Sequence, residues 1–555
     1  MPEPTDWVTR AADDAVRHWE RVGAKDRPVT VASGASPSGP IHLGNLREFL
    51  TPHFVAEELR RRGVAVRHLH SWDDYDRYRK VPAGAPPEWK EHIGRPLTAV
   101  PDPWECHPSW SDHFKAPLRA ALQEMGVVME EISQTEHYRS GVYRDQILHA
   151  VRNRARIEEV LARYRTKVIE PESEQEAEAL ADSVTADEDT SRFPFKPYCR
   201  ECGRDTTTIT SYDDETTDLA YTCDSDGFSG VTNLATQSEG KLVWKVDWPM
   251  RWAYEGVNFE PGGLDHSTPG SSYTVGKELV AEIFGGTAPS YVAYAFVGFA
   301  GMQKMSSSTG GVPIPADALK ILEAPMVRWL YVRRQPKQAF NIDFGPEVVR
   351  LYDEWDSLTR KAADPAKRDA QVLAFERASA TTAAGTLPTP RVRVPFRLLS
   401  SVADVTAGST ELISRVVAES GYPHDSIEDL EPRLHRATNW MADYVPAEDR
   451  TTVRAEPSPR LADLSEQERG WLAQLLDRLP EALELEPVTS LIYGAPKLGR
   501  GLDLDDAPTD EVKADQKAFF KLLYNLLVDA DRGPRLPTLF LALGPVTIRR
   551  LLTPR

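Results

Sequence analysis

Two short segments carry residue types that handle phosphate. The first reads Ala35-Ser36-Pro37-Ser38-Gly39-Pro40-Ile41-His42-Leu43-Gly44-Asn45, and the second Gly301-Met302-Gln303-Lys304-Met305-Ser306-Ser307-Ser308. The first follows an apolar run, residues 29–34, that reads as a buried strand. It leads into residues 46–62, where apolar side chains recur at helical spacing. A strand, a small-residue turn and a helix N-terminus together make an anion site, because free N–H groups and the helix dipole favour negative charge. Gly39 and Gly44 let the backbone approach a phosphate closely. His42 at the mouth of the turn can donate to a phosphate oxygen, and Asn45 can help hold phosphate and ribose. Lys304 lies on a loop of small hydroxyl residues and can neutralise charge on a departing pyrophosphate, with Mg²⁺ sharing that charge. Ser306, Ser307 and Ser308 would let that loop close and add donors.

A second group of residues suits a long primary ammonium. Such a ligand needs a carboxylate near its far end or an aromatic face along its stem. Asp73, Asp74 and Asp76 stand just beyond a predicted strand at 64–71, where doubly wound folds place their ligands. Trp248, Trp252 and Tyr273 could wall the methylenes. The competing reading makes these tryptophans core and the aspartates turn and cap residues. Cys199-x2-Cys202 and Cys223 have the spacing of a zinc ribbon with Asp226 at the fourth corner. They predict either a structural zinc site or a ribbon that has lost its ion. Cys106 stands apart from them and is expected to be packed.

Around these residues the chain reads as several domains. With 555 residues it exceeds one ordinary core. Residues 29–71 form a strand, helix, strand unit of a parallel sheet. The text to about Gly240 contains the cysteines and an acidic run, 168–191, with nine carboxylates and no Lys or Arg. That run reads as a solvated segment away from nucleic acid. Sheet-and-helix text resumes at Trp244, with a predicted strand at 291–297, and the pattern turns helical after Pro315. A break at 380–390 marks a further boundary. The expected fold is an α/β Rossmann-type domain split by a large insertion with a zinc-ribbon-like element, followed by an all-α region. The expected domains are 1–85 with 241–320, an insertion at 86–240 (ribbon at 195–235), a helical connector at 321–385, and 386–555.

Composition excludes several classes. A net charge of −18 is wrong for a protein that coats nucleic acid indiscriminately, though local fields can still hold an RNA. No stretch has the apolar length of a membrane span, and the first residues show no secretory pattern. Four cysteines make no disulfide framework, so a reducing, cytoplasmic setting is expected.

The two phosphate segments resemble the HIGH and KMSKS motifs of class I aminoacyl-tRNA synthetases, here His42-Leu43-Gly44-Asn45 and Lys304-Met305-Ser306-Ser307-Ser308. Serine at 307 stands where the commonest form of the second motif has another lysine. Longer blocks are similar to the archaeal-type class I lysyl-tRNA synthetases. These are Ser71-Trp72-Asp73-Asp74-Tyr75-Asp76, Pro101-Asp102-Pro103-Trp104-Glu105-Cys106-His107, Asp247-Trp248-Pro249-Met250-Arg251-Trp252, Gly263-Leu264-Asp265-His266-Ser267-Thr268-Pro269-Gly270, and Gly533-Pro534-Arg535-Leu536. The resemblance implies ATP-dependent activation of lysine and its transfer to tRNA(Lys). It also implies Asp265 and His266 near the adenylate, an acceptor-end role for the insertion, and an α-helical anticodon-binding region at the C-terminus. For tRNA that region offers Arg391, Arg393, Arg397 and Arg535, then Lys497, Arg500, Arg532, Arg549 and Arg550. No obligate protein partner is expected. The rival readings are a class I synthetase for another amino acid, glutamate foremost, a different nucleotidyltransferase, and a tRNA-binding paralogue that does not charge.

Overall fold

The computed structural model describes residues 6–24, 26–165, 193–236, 239–267, 270–301 and 311–553. The acidic run and the 302–310 part of the second motif, with Lys304, Ser306, Ser307 and Ser308, lie outside the described residues.

Five parallel strands form the central sheet. They are β1 (Val29–Ala35), β2 (Val66–Trp72), β3 (Glu130–Ser133), β4 (Val257–Gly263) and β5 (Ser290–Tyr294), in the order β5-β4-β1-β2-β3. The order runs outward from β1 in both directions, so a crevice opens at the carboxyl ends of β1 and β4. All seven residues of β4 are buried, as befits a parallel strand covered on both faces. Helix Leu46–Arg61 joins β1 to β2, and Trp110–Glu124 joins β2 to β3. Helix Trp244–Glu255 precedes β4, and Ser272–Glu282 links β4 to β5.

Two expectations need correcting. β3 lies inside the residues assigned to the insertion, yet it pairs with β2 as the edge of the sheet. Its sequence, Glu130-Glu131-Ile132-Ser133, buries only Ile132, so it has no apolar run to announce it. The predicted strand at 291–297 is two strands. The first is β5; the second, Val297–Phe299, pairs with Phe340–Ile342 in a separate small sheet. The break falls at Ala295, whose carbonyl accepts from the buried Arg47 guanidinium (3.0 Å) and whose N–H bonds Pro336 (2.9 Å).

Between β3 and β4 the chain builds a three-stranded antiparallel meander, Thr207–Tyr212, Asp218–Cys223 and Ser229–Asn233. Its Leu219 joins Tyr75, Tyr138, Phe195, Met250 and Leu279 in one apolar cluster, which ties it to the helices beside the sheet.

Contacts divide the chain into two compact units. One is 1–318, 324–342 and 358–387; the other is 319–323, 343–357 and 388–555. The 321–385 segment expected as a connector is thus divided between them. The second unit is helical, from Phe396–Val405 to Leu536–Leu552. Arg433 sits at its centre, fully buried, with Glu323 at 2.6 Å and Asp356 at 2.9 Å.

Candidate active site

The phosphate turn stands where the sequence puts it, after β1. His42 precedes a short 3₁₀ turn, Leu43–Asn45, that opens helix Leu46–Arg61, and the Asn45 amide oxygen accepts from the His42 N–H (3.2 Å). The turn is braced from outside: Leu43 N–H donates to the Pro313 carbonyl (3.0 Å), and Tyr331 Oη donates to the Leu43 carbonyl (2.6 Å). His42 is buried, and burial alone lowers its pKa to about 4. At neutral pH it is therefore an uncharged imidazole. Its Nδ1 is buried with no hydrogen-bond partner among the described residues, which leaves it for a ligand.

A cavity of about 70 Å³ opens beside this turn, at the carboxyl ends of β1, β2 and β4. Its polar lining includes Glu48, Glu260, Asp73 and Arg251, and its aromatic wall is Trp244, Trp248 and Trp252. The three tryptophans sit four residues apart and share one face of helix Trp244–Glu255. Trp244 stacks on Trp248 (5.3 Å between centroids), and Trp252 meets Tyr273 edge-on at 5.6 Å. Gly276 is required at this wall, since a Cβ there would lie 2.9 Å from the Trp252 ring.

Both glutamates carry the marks of a cation site. Glu260 accepts from the indole N–H groups of Trp248 (3.1 Å) and Trp252 (2.6 Å), yet burial still raises its pKa to about 7. Glu48 accepts from Tyr294 Oη and from the Gly34 N–H (3.2 Å), and burial, with some repulsion from Glu260, raises it to about 8. Burial thus makes both carboxyl groups of this cavity resist ionisation.

The three aspartates proposed for the ammonium are already engaged. Asp73 pairs with Arg251 (2.7 Å) at the cavity wall, Asp74 with Lys115 (2.6 Å), and Asp76 with Lys241 (2.5 Å). Burial raises the Asp73 pKa in spite of Arg251, whereas at Asp76 burial is outweighed, chiefly by Lys241, and the pKa is lowered. Asp74 also accepts from Ser133 Oγ and the Thr135 N–H, so it fastens β3 to β2. Asp265 and His266 occupy a short 3₁₀ turn straight after β4; His266 lines the cavity and packs edge-on against Trp248 (5.6 Å). Glu48 and Glu260 escaped the sequence reading. The available signal was one acid within an otherwise uncharged strand, Val257-Asn258-Phe259-Glu260-Pro261-Gly262-Gly263.

The cysteine cluster gathers as expected. Cys202 Sγ lies 3.6 Å from Cys223 Sγ, and Cys199 Sγ lies 3.6 Å from an Asp226 oxygen. One ligand atom from each of the four residues fits within 4.8 Å of the others. Cys106 is not packed: it is exposed, within 3.3 Å of both His107 and His113.

The family model described as tRNA synthetases class I (K) matches residues 5–381. A lysine–tRNA ligase of Streptomyces coelicolor is 52% identical over 99% of this chain and 98% of its own length. The chain belongs to the class I lysyl-tRNA synthetase family. Further relatives in this family are lysine–tRNA ligases of Thermococcus kodakarensis (34% identical, 98% of this chain and 99% of that protein) and Treponema pallidum (31%, 94% of each). The first of the two segments that resemble class I motifs, His42-Leu43-Gly44-Asn45, lies at this crevice.

In the helical unit the predicted RNA-binding arginines differ in their freedom. Arg391 and Arg397 are exposed, Arg391 pairing with Asp429 (3.1 Å) and Asp425 (3.4 Å) and Arg397 with Asp353 (3.4 Å). Arg393 is half-buried, 3.9 Å from Asp356. Arg535 is exposed at the start of helix Leu536–Leu552. Arg549 and Lys497 hold backbone carbonyls, so they stabilise the fold first.

Proposed function

We propose that this chain is a lysine–tRNA ligase whose amino-acid pocket is the cavity under the tryptophan wall. The substrates are L-lysine, ATP and tRNA. The lysine carboxylate attacks the α-phosphorus of ATP, and pyrophosphate leaves. The terminal 2′-hydroxyl of tRNA then attacks the adenylate carbonyl and releases AMP. Catalysis is positioning and charge stabilisation, so no nucleophilic side chain is needed. His42 donates to phosphate as a neutral imidazole, Asn45 holds the turn's geometry, and Gly39 and Gly44 keep it close to the nucleotide. Asp265 and His266 approach the adenylate from the β4 side, and Lys304, with Ser306 and Ser307, stabilises the leaving pyrophosphate. Mg²⁺ supplies further charge neutralisation there.

The lysine ammonium lodges between Glu48 and Glu260, with its stem along Trp248 and Trp252 and with Tyr273 behind them. Asp73 belongs to this pocket through Arg251; Asp74 and Asp76, paired with Lys115 and Lys241, are not part of its lining. The observation that carries lysine over glutamate is charge. Arg251 is the one cation lining the cavity among the described residues, and Asp73 and Asp247 already hold it (2.7 and 3.2 Å). A glutamate side chain would meet two carboxylates there.

Residues 86–240, apart from β3, receive the acceptor end, and 386–555 reads the anticodon through Arg391, Arg393, Arg397 and Arg535. Cys199, Cys202, Cys223 and Asp226 hold a structural zinc. Their 3.6 Å separations match the edge of a tetrahedron with Zn–S bonds of about 2.3 Å. Among the described residues no helix is long and apolar enough to cross a membrane. Charging of total tRNA with each of twenty labelled amino acids tests the reading. Lysine alone should be attached; attachment of glutamate, or of nothing, overturns it. Cys202→Ser should lower zinc content by one per chain, and unchanged content refutes the ribbon site.

A further inference from the structure

Behind the cavity wall lies a buried pair, Tyr138 and Asp247, that touches no substrate in the chemistry above. Asp247 is completely buried in helix Trp244–Glu255, one turn before Arg251. Its Oδ1 accepts from the Tyr138 hydroxyl at 2.5 Å, and its Oδ2 lies 3.2 Å from Arg251 Nη2. Tyr138, also completely buried, belongs to the short helix Gln134–Ser140, and its oxygen accepts from the Leu242 N–H (3.2 Å). A chain of contacts therefore runs from strand Gly240–Leu242 through Tyr138 and Asp247 to the guanidinium in the cavity wall. On its other side Arg251 Nη1 donates to Ser71 Oγ (2.8 Å) and Asp73 Oδ1 (2.7 Å). The guanidinium carbon lies 5.2 Å from the centre of the Trp244 ring.

Two carboxylates shielded from water thus face one cation, and a buried carboxylate short of donors is costly. Tyr138 supplies the missing donor to Asp247. Burial, and after it the Asp247 charge, keeps the tyrosine well above its ordinary pKa, so its hydroxyl remains a donor. The cavity also offers Arg251 a competing partner. Glu260 lines the same wall, bonded to the indoles of Trp248 and Trp252, which stand three before and one after Arg251 in the helix. Burial sets the Glu260 pKa high; after the two indole bonds, the Arg251 charge is the next influence drawing it down. An arginine released by Asp247 therefore has a second carboxylate to turn to. An ion pair there would occupy the acid that the substrate ammonium requires.

We propose that Tyr138 and Asp247 are positioning residues for the amino-acid pocket: they hold Arg251 against Asp73 and so keep it off Glu260, which stays open to the substrate ammonium. The proposal rests on the reading of Glu48 and Glu260 as the ammonium site. Both residues act through Arg251 and neither touches substrate. Their loss gives the pocket an internal cation that competes with lysine, so the effect falls on lysine binding and spares ATP.

The test is aminoacylation of tRNA by the full-length protein with lysine varied. Tyr138→Phe deletes only the hydroxyl and should raise KM for lysine about tenfold, the worth of one hydrogen bond to a charged group. Asp247→Asn should raise it about 30-fold or more. KM for ATP should stay within about twofold in both, and thermal melting checks that each variant is folded. Each change is then repeated in Arg251→Gln and in Glu260→Gln. Without the competing cation, or without the acid it competes for, the added rise in lysine KM should shrink to about twofold or less. Side chains that merely pack the wall would add their full cost in both backgrounds. Unchanged lysine KM in the two single variants, or an undiminished rise in either background, overturns the proposal. Glu260→Gln by itself separates the two readings. If it raises lysine KM while the Tyr138 and Asp247 changes do not, the pocket stands and the positioning role falls. If it leaves lysine KM unchanged, both fall.

Discussion

On the proposed reading lysine binding displaces a proton from this pocket, and Glu260→Gln examines that most directly. In the empty cavity Glu260 titrates near 7 instead of 4.5. Its charge is then about 3 kcal/mol harder to hold, at roughly 1.4 kcal/mol per unit. An ammonium beside it reverses that, so the bound state has an ionised carboxylate and the free state, below pH 7, a neutral one. The sign follows: with Glu48 and Glu260 raised to about 8 and about 7 in the free enzyme, KM for lysine climbs as pH falls below about 8, more steeply below about 7, and levels off above about 8. In Glu260→Gln the side-chain volume is kept and the charge is lost. Removing one member of a buried charge pair costs about 2–5 kcal/mol, which is roughly 30-fold to several-thousand-fold in KM. Glu48 remains, so the effect should sit toward the lower end. ATP–pyrophosphate exchange with tRNA present, lysine varied and pH taken from 6 to 8.5, reads both quantities. KM for ATP should stay within about twofold. A variant whose lysine KM at pH 8 is within about threefold of the parent, with the same slope below pH 7, would refute the assignment.

Replacing His42 or Lys304 with Ala should slow the same exchange by ~10²–10³-fold, the usual cost of one oxyanion donor, with circular dichroism unchanged. The buried His68, whose folded-state pKa burial lowers to about 4, should make the catalytic unit sensitive to acid. The unfolded chain takes up its proton near 6.5, so stability is full above that pH and falls as pH drops toward 4. The loss should be about 2 kcal/mol at pH 5 from this residue, and His68→Gln should flatten the pH dependence of the urea midpoint. Arg433→Met should destabilise the helical unit by ~3–5 kcal/mol, since Glu323 and Asp356 would be left buried and unpaired. A calorimetric scan in which the transition of that unit does not move would contradict this.

Local pattern and tertiary arrangement contributed differently. The β1 strand, the phosphate turn and helix Leu46–Arg61 were legible because they are contiguous: a buried apolar run, small residues and a helical period follow one another in the chain. The gathering of the cysteines was legible because Cys199 and Cys202 are close in sequence and the hairpin that follows brings Cys223 back to them. β3 was not, because an edge strand needs only one buried side chain to hold its place.

The charges show the divide most clearly. Sequence alone determined that aspartates would cluster after β2, that tryptophans would recur just before β4, and that a small-residue turn at His42-Leu43-Gly44-Asn45 would lead from β1 into a helix. It could not say which carboxylates remain free for a substrate, because each partner comes from elsewhere in the chain. Arg251 reaches Asp73 across 178 residues, Lys115 reaches Asp74 across 41, and Lys241 reaches Asp76 across 165. Tertiary structure alone brought Glu48 and Glu260 into one cavity beside two indoles. A carboxylate's availability depends on what neutralises it and on how far water is excluded, and both are properties of the assembled surroundings.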